Sequence, residues 1–172
     1  MEAFTTFKGI GIPIDIINCD TDQIIPARFL RKDRRDPEMA SFLWHDLRKD
    51  PDFIFNTAPY RNGKVVVADI NWGCGSSREG AVYALNANGI RAVIAPSFGD
   101  IHYNNCLKWG VLPVRLSRDD CDVLRRQLHD DPGAEITFDL ESDPLDILLG
   151  KQHTKYHHIL LSRPNLDIHH QT

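Results

Sequence analysis

The sequence has little cysteine, and its cysteines lack the spacing of a metal centre. The four are Cys19, Cys74, Cys106 and Cys121, with no CxxC pair among them. This argues against a zinc knuckle and against an iron–sulfur cluster held by this chain alone. So few cysteines in 172 residues also argue against a disulfide scaffold. We therefore expect no metal site in the chain and mostly buried, inert thiols.

The sequence also lacks a strong excess of charge and a long hydrophobic run. A formal net charge of −4 and a pI near 6 give no basic surface for nucleic acid or anionic membranes. No apolar stretch approaches the roughly 20 residues of a membrane helix. The first residues, MEAFTTFKGIGIPIDI, lack the basic region that opens a signal peptide. We expect a cytoplasmic protein that binds neither nucleic acid nor membrane.

Strand and helix patterns alternate along most of the chain. The predicted strands are residues 9–17, 64–70, 91–97, 112–116 and 134–140, and the predicted helices are residues 78–89, 99–110 and 117–130. Ser117 and Asp120 have the S-x-x-D spacing of a helix start. Such alternation is typical of layered α/β domains with parallel neighbouring strands. We predict one α/β domain over residues 1–172, with a partly parallel central sheet flanked by helices.

Residues 31–50 interrupt this pattern with dense charge of both signs. Met39, Phe42, Leu43 and Trp44 within the segment predict a short helix that packs on the core. A solvated surface loop is the alternative interpretation.

The last part of the chain, about residues 150–172, is rich in histidine, and we expect it to be partly disordered. His153 and His157 lie four residues apart, which would suit a metal. A strand followed by an exposed tail explains the same residues.

The segment NWGCGSSRE, residues 71–79, joins a predicted strand to a predicted helix. Gly73 and Gly75 bracket this turn, where positive φ or a close backbone approach is often required. The first N–H groups of a helix lack partners and the helix dipole is positive there, so an anion is favoured. Two hydroxyls and the Arg78 guanidinium would recognise a carboxylate or phosphate. The pattern predicts an anion-binding turn.

A purely structural interpretation of the same turn is an S-x-x-E capping box. In it Ser76 accepts from the Glu79 N–H, and the Glu79 side chain reaches back. The box accounts for neither Ser77 nor Arg78. The spacing differs from that of dinucleotide-binding and Walker loops. A serine hydrolase is poorly supported, because the serine has no evident base and the nearest histidine in sequence is His102.

Four segments follow one another in the order and spacing of a known family. They are CDTDQIIPARFL (19–30), PDFIFN (51–56), NWGCGSSRE (71–79) and RAVIAPSFGDIHYNNCLKWGVLPV (91–114). With these segments the chain, from about Phe7 to about Phe138, resembles the small subunits of 3-isopropylmalate dehydratase. Those subunits are the swivel-domain chains of the aconitase superfamily.

The resemblance implies a swivel-like fold and a hydro-lyase activity. Members isomerise 2-isopropylmalate to 3-isopropylmalate by dehydration and rehydration, in leucine biosynthesis. A large subunit carries a [4Fe–4S] cluster on its own cysteines and completes the active site. This chain would then bind no cofactor itself, and it would be inactive alone.

The resemblance also implies roles for single residues. Ser76 would be the catalytic base that removes the proton beside a carboxylate. The residues expected to bind the hydroxy-dicarboxylate substrate are Ser77, Arg78, Gly75 and the Asp-Thr-Asp turn Asp20, Thr21 and Asp22. The charged segment around residues 29–44 matches the region associated with substrate selection.

Two alternatives remain open at this point. One is a related subunit for another malate derivative, such as methylmalate or citraconate, dimethylmalate or homoaconitate. Residues 28–44 would discriminate, being more basic for a tricarboxylate and more apolar for an isopropyl group, but they contain both kinds. The other is a non-catalytic subunit, favoured by Gly80 where the family usually has histidine. Intact Ser76, Ser77 and Arg78 argue against it.

Overall fold

The computed structural model describes residues 6–139 and 146–149. The strands are β1 (Thr6–Ile14), β2 (Val65–Ala68), β3 (Ala92–Ala95), β4 (Leu112–Arg115), β5 (Glu135–Asp139) and β6 (Asp146–Leu149). The α-helices are α1 (Thr21–Ile24), α2 (Met39–Phe42), α3 (Gly80–Ala87), α4 (Asp100–Lys108) and α5 (Arg118–Asp130). Short 3₁₀ turns lie at Ala27–Phe29, Leu47–Lys49, Ile54–Asn56 and Tyr60–Asn62.

The strands form one six-stranded sheet in the order β4-β3-β2-β1-β5-β6. The first four are parallel neighbours, with Ile14 of β1 opposite Ala68 of β2. β5 is antiparallel to β1 and β6. The predicted α/β fold with a partly parallel sheet is confirmed.

Each face of the parallel part of the sheet carries an apolar layer. Val66 of β2 packs with the layer that includes α1–α4, whereas Val67 packs with the layer under α5. Successive side chains of a strand point to opposite faces. All four residues of β2 are therefore buried, as the continuous apolar run in the sequence predicts.

One expectation about the strands is wrong. The first strand spans Thr6–Ile14 rather than residues 9–17. Pairing of Thr6 with Asp139 extends its start, and the chain leaves the sheet at the exposed Asp15. Residues 134–140 yield β5, which is antiparallel to both of its neighbours, so the sheet is only partly parallel. Apolar alternation alone does not encode strand direction, and β6 was not predicted.

The short helix predicted within residues 31–50 is confirmed as α2. Met39, Phe42, Leu43 and Trp44 are all buried. The Trp44 ring makes edge contacts with Phe55 and Trp72 at centroid distances of 4.9 and 6.5 Å. The middle of the segment is thus part of the core, and its charged residues lie on either side, within residues 31–38 and 46–50.

Two expectations lie outside the described residues. They are the partly disordered tail at about residues 150–172 and the His153–His157 pair. Within residues 6–139 and 146–149, no helix has the length and apolar character required to cross a membrane.

We expect truncation of the α5 core contact to be costly. Leu124 is fully buried, whereas its neighbour Val123 is 38% exposed. Leu124→Ala should lower the free energy of unfolding by about 2–5 kcal/mol, since it removes buried methyl groups and leaves a cavity. Val123→Ala should change it by less than about 0.5 kcal/mol. Urea unfolding of both variants tests this, and equal losses would contradict the packing of α5.

Candidate functional site

Two turns meet where β1 and β2 end, because parallel neighbours place their carboxyl ends at one edge of the sheet. The turn after β1 contains Cys19 and Thr21, and the turn after β2 contains Gly73 and Cys74. The Gly73 N–H donates to the Cys19 carbonyl (2.7 Å), and the Thr21 N–H donates to the Cys74 carbonyl (3.2 Å). The Asp-Thr-Asp and Gly-Ser-Ser-Arg motifs, distant in sequence, are therefore neighbours.

The segment after β3 supports the second turn from its other side. Trp72 N–H donates to the Ser97 carbonyl (3.0 Å), and Gly99 N–H donates to the Trp72 carbonyl (2.8 Å). A Cβ at Gly99 would lie 2.4 Å from the Gly73 carbonyl oxygen, so only glycine permits this approach. The turn is thus held between the segments that follow β1 and β3.

Both glycines of the turn are required by the backbone. Gly73 has φ +69°, and Gly75 has φ +91°, values that glycine adopts readily. A Cβ at Gly73 would also lie 2.2 Å from the His102 ring, whereas one at Gly75 would meet only Asp20, at 4.0 Å. The predicted positive φ and close approach are confirmed at Gly73, and positive φ alone applies at Gly75.

The side chains of the turn differ in exposure. Gly75, Ser76 and Arg78 are exposed, whereas Ser77 is buried. The Ser77 Oγ has no hydrogen-bond partner among the residues that the structure describes. A buried hydroxyl of this kind calls for an explanation, such as a water or ligand atom.

The predicted capping box at Ser76 is wrong. The helix α3 begins at Gly80, its N-cap residue is Glu79, and no side chain caps it. The Glu79 carboxylate instead accepts from Lys108 Nζ (2.6 Å) and the Tyr83 hydroxyl (2.7 Å). These donors, Lys108 foremost, lower the pKa of Glu79 to about 2. Glu79 is therefore ionised at neutral pH, but it is bound to α4 and to the next turn of α3.

Arg78 therefore has no ion-pair partner among the residues that the structure describes. The backbone N–H groups of Ser76, Arg78 and Glu79 also find no acceptor within this part of the chain. A guanidinium and free N–H groups at a helix N-terminus can bind a carboxylate. The geometry suits an anion-binding turn.

The Asp-Thr-Asp turn has a structural function that the sequence did not reveal. Asp20 is the N-cap of α1 and forms a true capping box with Gln23, accepting from the Gln23 N–H at 2.8 Å. Thr21 is buried, and Asp22 is exposed. Asp22 is thus the residue of this turn whose carboxylate is accessible, and the substrate-binding roles of the three remain predictions.

His102 lies buried directly beneath the turn. Its ring packs against Gly73 and makes an edge contact with Trp72 at 6.4 Å between centroids. Its Nε2 lies 3.5 Å from the Cys106 Sγ, and Nδ1 has no partner among the described residues. Burial lowers the pKa of His102 to about 4, so the ring is neutral at physiological pH. His102 supports the turn from below and is not an exposed base for Ser76.

Sequence reasoning recorded His102 but not this role. The spacing of His102 and Cys106 places both on one face of α4. That pattern does not say whether this face of α4 meets solvent or the core. The contacts of the His102 ring with Gly73 and Trp72, which come from a distant part of the sequence, show that it meets the core.

The cysteines are inert in this structure. All four are free thiols, and only Cys74 is partly exposed. Burial, and then the charge of Asp20, raises the pKa of the Cys74 thiol, which disfavours a thiolate nucleophile. Within residues 6–139 and 146–149, no group of three or more His, Cys, Asp or Glu side chains could hold a metal ion. The expectation that this chain binds no cofactor stays a prediction.

The fold and the turns define the class of the protein. The family described as "Aconitase C-terminal domain" matches residues 1–119. The match contains β1–β4, both turns and helices α1–α4. The architecture is thus that of the swivel domain of aconitase-like proteins.

Comparison with individual proteins narrows this class. The chain is 45% identical over 148 residues to the 3-isopropylmalate dehydratase small subunit of Roseobacter denitrificans, with 83% of this chain and 73% of that one covered. It is 48% identical over 146 residues to that of Rhodopseudomonas palustris, with 81% and 72% covered. A crystal structure of 3-isopropylmalate dehydratase from Methanocaldococcus jannaschii is 33% identical, with a TM-score of 0.62 and 88% and 84% covered. The chain therefore belongs to the 3-isopropylmalate dehydratase small-subunit family of aconitase-type domains.

Replacing Gly73 tests whether His102 constrains the turn. Gly73→Ala should destabilise the chain more than Gly89→Ala. Gly89 has a similar φ of +76°, but a Cβ there would meet no atom within 4 Å. Gly89→Ala should therefore cost only the backbone strain, about 1–2 kcal/mol, and Gly73→Ala at least about 1 kcal/mol more. Urea unfolding measures both, and equal costs would contradict the packing of His102 against the turn.

The buried His102 should make the chain less stable at mildly acidic pH. Its pKa is lowered from 6.5 to about 4, so between these values the unfolded chain takes up a proton that the folded chain excludes. Its stabilising contribution is complete above pH 6.5 and is lost as pH falls toward 4, at no more than about 1.4 kcal/mol per pH unit.

Urea unfolding at pH 7, 6 and 5 measures this slope. His102→Gln should flatten it, because the residue that excludes the proton in the folded chain is then absent. An unaltered slope in His102→Gln would show that other groups cause the acid sensitivity.

Proposed function

We propose that this chain is the small subunit of an active 3-isopropylmalate dehydratase. Together with a large subunit it would convert 2-isopropylmalate to 3-isopropylmalate, by removing and re-adding water, in leucine biosynthesis. The observation that carries the proposal is the turn before α3. There the exposed Ser76 lies two residues before the exposed Arg78, and Arg78 has no carboxylate partner in the described part of the chain. The printed names of the relatives support it, since they are those of this enzyme.

Ser76 is the catalytic base in this proposal. The proton to be removed lies on a carbon beside a carboxylate, so negative charge builds on the carboxylate oxygens in the transition state. Arg78 and the free N–H groups before α3 are donors placed to stabilise that charge. The same positive surroundings favour the alkoxide form of Ser76, which a serine hydroxyl reaches only with such help.

The other predicted residues would bind the substrate. Arg78 offers a bidentate fork to one carboxylate, and exposed Gly75 leaves its backbone open to close approach. The unpartnered Ser77 Oγ would gain a hydrogen bond from a ligand oxygen, which matters because an unsatisfied buried polar group costs about 1–3 kcal/mol. Asp20 and Thr21 would hold the rim in place, and Asp22 would accept from a substrate hydroxyl.

The chain needs a partner to complete this site. The residues described by the structure offer no ligand set for a metal or a cluster, so the [4Fe–4S] cluster implied by the family resemblance does not fit those residues. We assign it to the large subunit, and the steps given to this chain use only its own residues. The chain is therefore expected to be inactive alone.

The substrate side chain is expected to be apolar. Leu30 belongs to the selecting segment 28–44, and its Cδ2 would lie 3.1 Å from a Cβ at Gly80, the first residue of α3. This contact belongs to the core, against which Leu30 packs, and it gives the segment an apolar end beside the turn. The apolar substrate side chain is inferred mainly from the relatives, whose names are those of an enzyme for isopropylmalate. Dimethylmalate and methylmalate remain chemically close substrates.

The remaining features of the proposal concern the whole chain. Residues 1–172 would form one swivel-like domain that works in the cytoplasm. A net charge of −4 supports a small-molecule enzyme better than a nucleic-acid-binding or membrane-binding protein.

Ser76→Ala tests the assignment of the base. The variant should still bind the large subunit, but turnover of 2-isopropylmalate should fall at least about 100-fold, since general base catalysis contributes at least that much. The measurement is anaerobic assay of the reconstituted complex, with complex formation checked by size-exclusion chromatography. Ser117→Ala is the matched control, because it removes the cap of α5 far along the chain and should keep full turnover.

Two outcomes would overturn parts of the proposal. Full activity of Ser76→Ala would mean that this serine is not the base. A wild-type complex with an intact cluster that turns over neither 2-isopropylmalate nor citraconate-type substrates would contradict the enzyme function itself.

A further inference from the structure

A buried arginine joins the two strands that lead into the site. Arg125 of α5 is 6% exposed. It donates through Nε to Asp15 Oδ1 (2.8 Å), through Nη1 to the Ala68 carbonyl (2.7 Å) and through Nη2 to Asp69 Oδ2 (3.2 Å). Nη2 also contacts Asp122 of the same helix.

The positions of these partners are informative. Asp15 follows the last residue of β1, and Ala68 is the last residue of β2. The segment after Asp15 leads to the Asp-Thr-Asp turn, and the segment after Asp69 leads to the Gly-Ser-Ser-Arg turn. One guanidinium is therefore bonded to both strand ends from which the two turns of the proposed active site continue.

Stability alone does not explain this arrangement. Helix α5 is already anchored by the apolar side chains Leu124 and Leu128, both fully buried. A buried ion pair is weak support for stability, because the desolvation of its charges offsets their attraction. The hydrogen bonds of Arg125 are directional, however, and here they hold the ends of β1 and β2 in a defined geometry.

A second contact completes the network on its exposed side. His129, one turn further along α5, lies with its Nε2 2.6 Å from the other oxygen of Asp15. The Asp15 carboxylate is thus held at both oxygens by α5. It can serve as a fixed point at the end of β1 even though its side chain is 54% exposed.

We propose that Arg125 is a positioning residue for the active site. Through Asp15, Ala68 and Asp69 it braces the ends of the paired strands β1 and β2, from which the turns that carry Asp22 and Ser76 continue. The inference rests on the proposed function for its catalytic consequence, but its structural part can be tested without any activity.

Three variants separate the possibilities. Arg125→Lys keeps the charge but cannot bridge three acceptors in a plane. Asp15→Asn weakens one of these hydrogen bonds at an exposed position and should leave the fold intact. It therefore tests the proposal even where Arg125→Lys does not fold. Arg126→Lys is the matched control, since exposed Arg126 makes one long bond (3.4 Å) to the Asp122 carbonyl.

Hydrogen exchange of the full chain is the structural measurement. The amides of Asn18, Thr21 and Gly73 donate across the two turns, to Ile70, Cys74 and Cys19. In Arg125→Lys and Asp15→Asn they should exchange about tenfold faster, because local opening of the turns becomes easier. The Leu112 amide, bonded to Arg91 at the far end of the sheet, should be unchanged, as should all four amides in Arg126→Lys.

Assay of the reconstituted enzyme is the functional measurement. Arg125→Lys and Asp15→Asn should lower kcat about tenfold or more, as a misplaced base would, with a smaller change in KM. Arg126→Lys should match the wild type. The proposal would be overturned if all amides, including that of Leu112, exchanged faster by the same factor in the variants. Arg125 would then stabilise the whole chain rather than position the two turns.

The two hypotheses fail differently. An inactive wild-type complex would contradict the proposed function, while selective exchange at the turns would still support the positioning role. Unchanged turn amides with unchanged kcat would contradict the positioning role alone.

Discussion

The parallel pairing of β1 and β2 is the constraint on which the rest of the structure depends. The pairing runs from Gly11 opposite Val65 to Ile14 opposite Ala68, and both strands end at the same edge of the sheet. It then continues in a looser form, because the backbones of residues 19–21 and 73–74 still exchange hydrogen bonds. Two motifs far apart in sequence share one surface for this reason. A slip of one residue in this register would turn the buried side chains of β2 to the wrong faces and would separate the turns as well.

The chemical character of the proposed site depends on which of its charged side chains already have partners within the fold. Glu79 is the acidic neighbour of Arg78, but it is bound by Lys108 and Tyr83. Asp20 is occupied by the cap of α1. Within the described residues, the guanidinium of Arg78 therefore remains available for the substrate carboxylate that we propose it binds, and the N-terminus of α3 adds to its positive field. At the proposed site, the fold favours an anion by binding the nearby carboxylates elsewhere rather than by gathering many cations.

The sequence predicts part of this arrangement, and the reasons for success and failure are physical. Apolar runs and helix periodicity identify the α/β class, and paired glycines identify a strained turn, because both are local properties. The capping box is a local pattern too, but it fits two places: Asp20–Gln23 forms one, whereas Ser76–Glu79 does not because Lys108 draws Glu79 away. The competition for Glu79, the direction of β5 and the contacts of Arg125 all depend on residues that are distant in sequence. A local sequence pattern therefore cannot predict them.

The contact between Gly80 and Leu30 has a consequence for exchanging parts between relatives. Leu30 fills the space that a side chain at position 80 would need, since a Cβ there would lie 3.1 Å from its Cδ2. Segment 28–44, which we propose selects the substrate, thus packs against the start of α3. A chimera that takes only position 80 from a relative with a larger residue there would crowd Leu30, and one that takes only segment 28–44 from such a relative would leave a gap beside Gly80. The segment and position 80 are therefore best exchanged together.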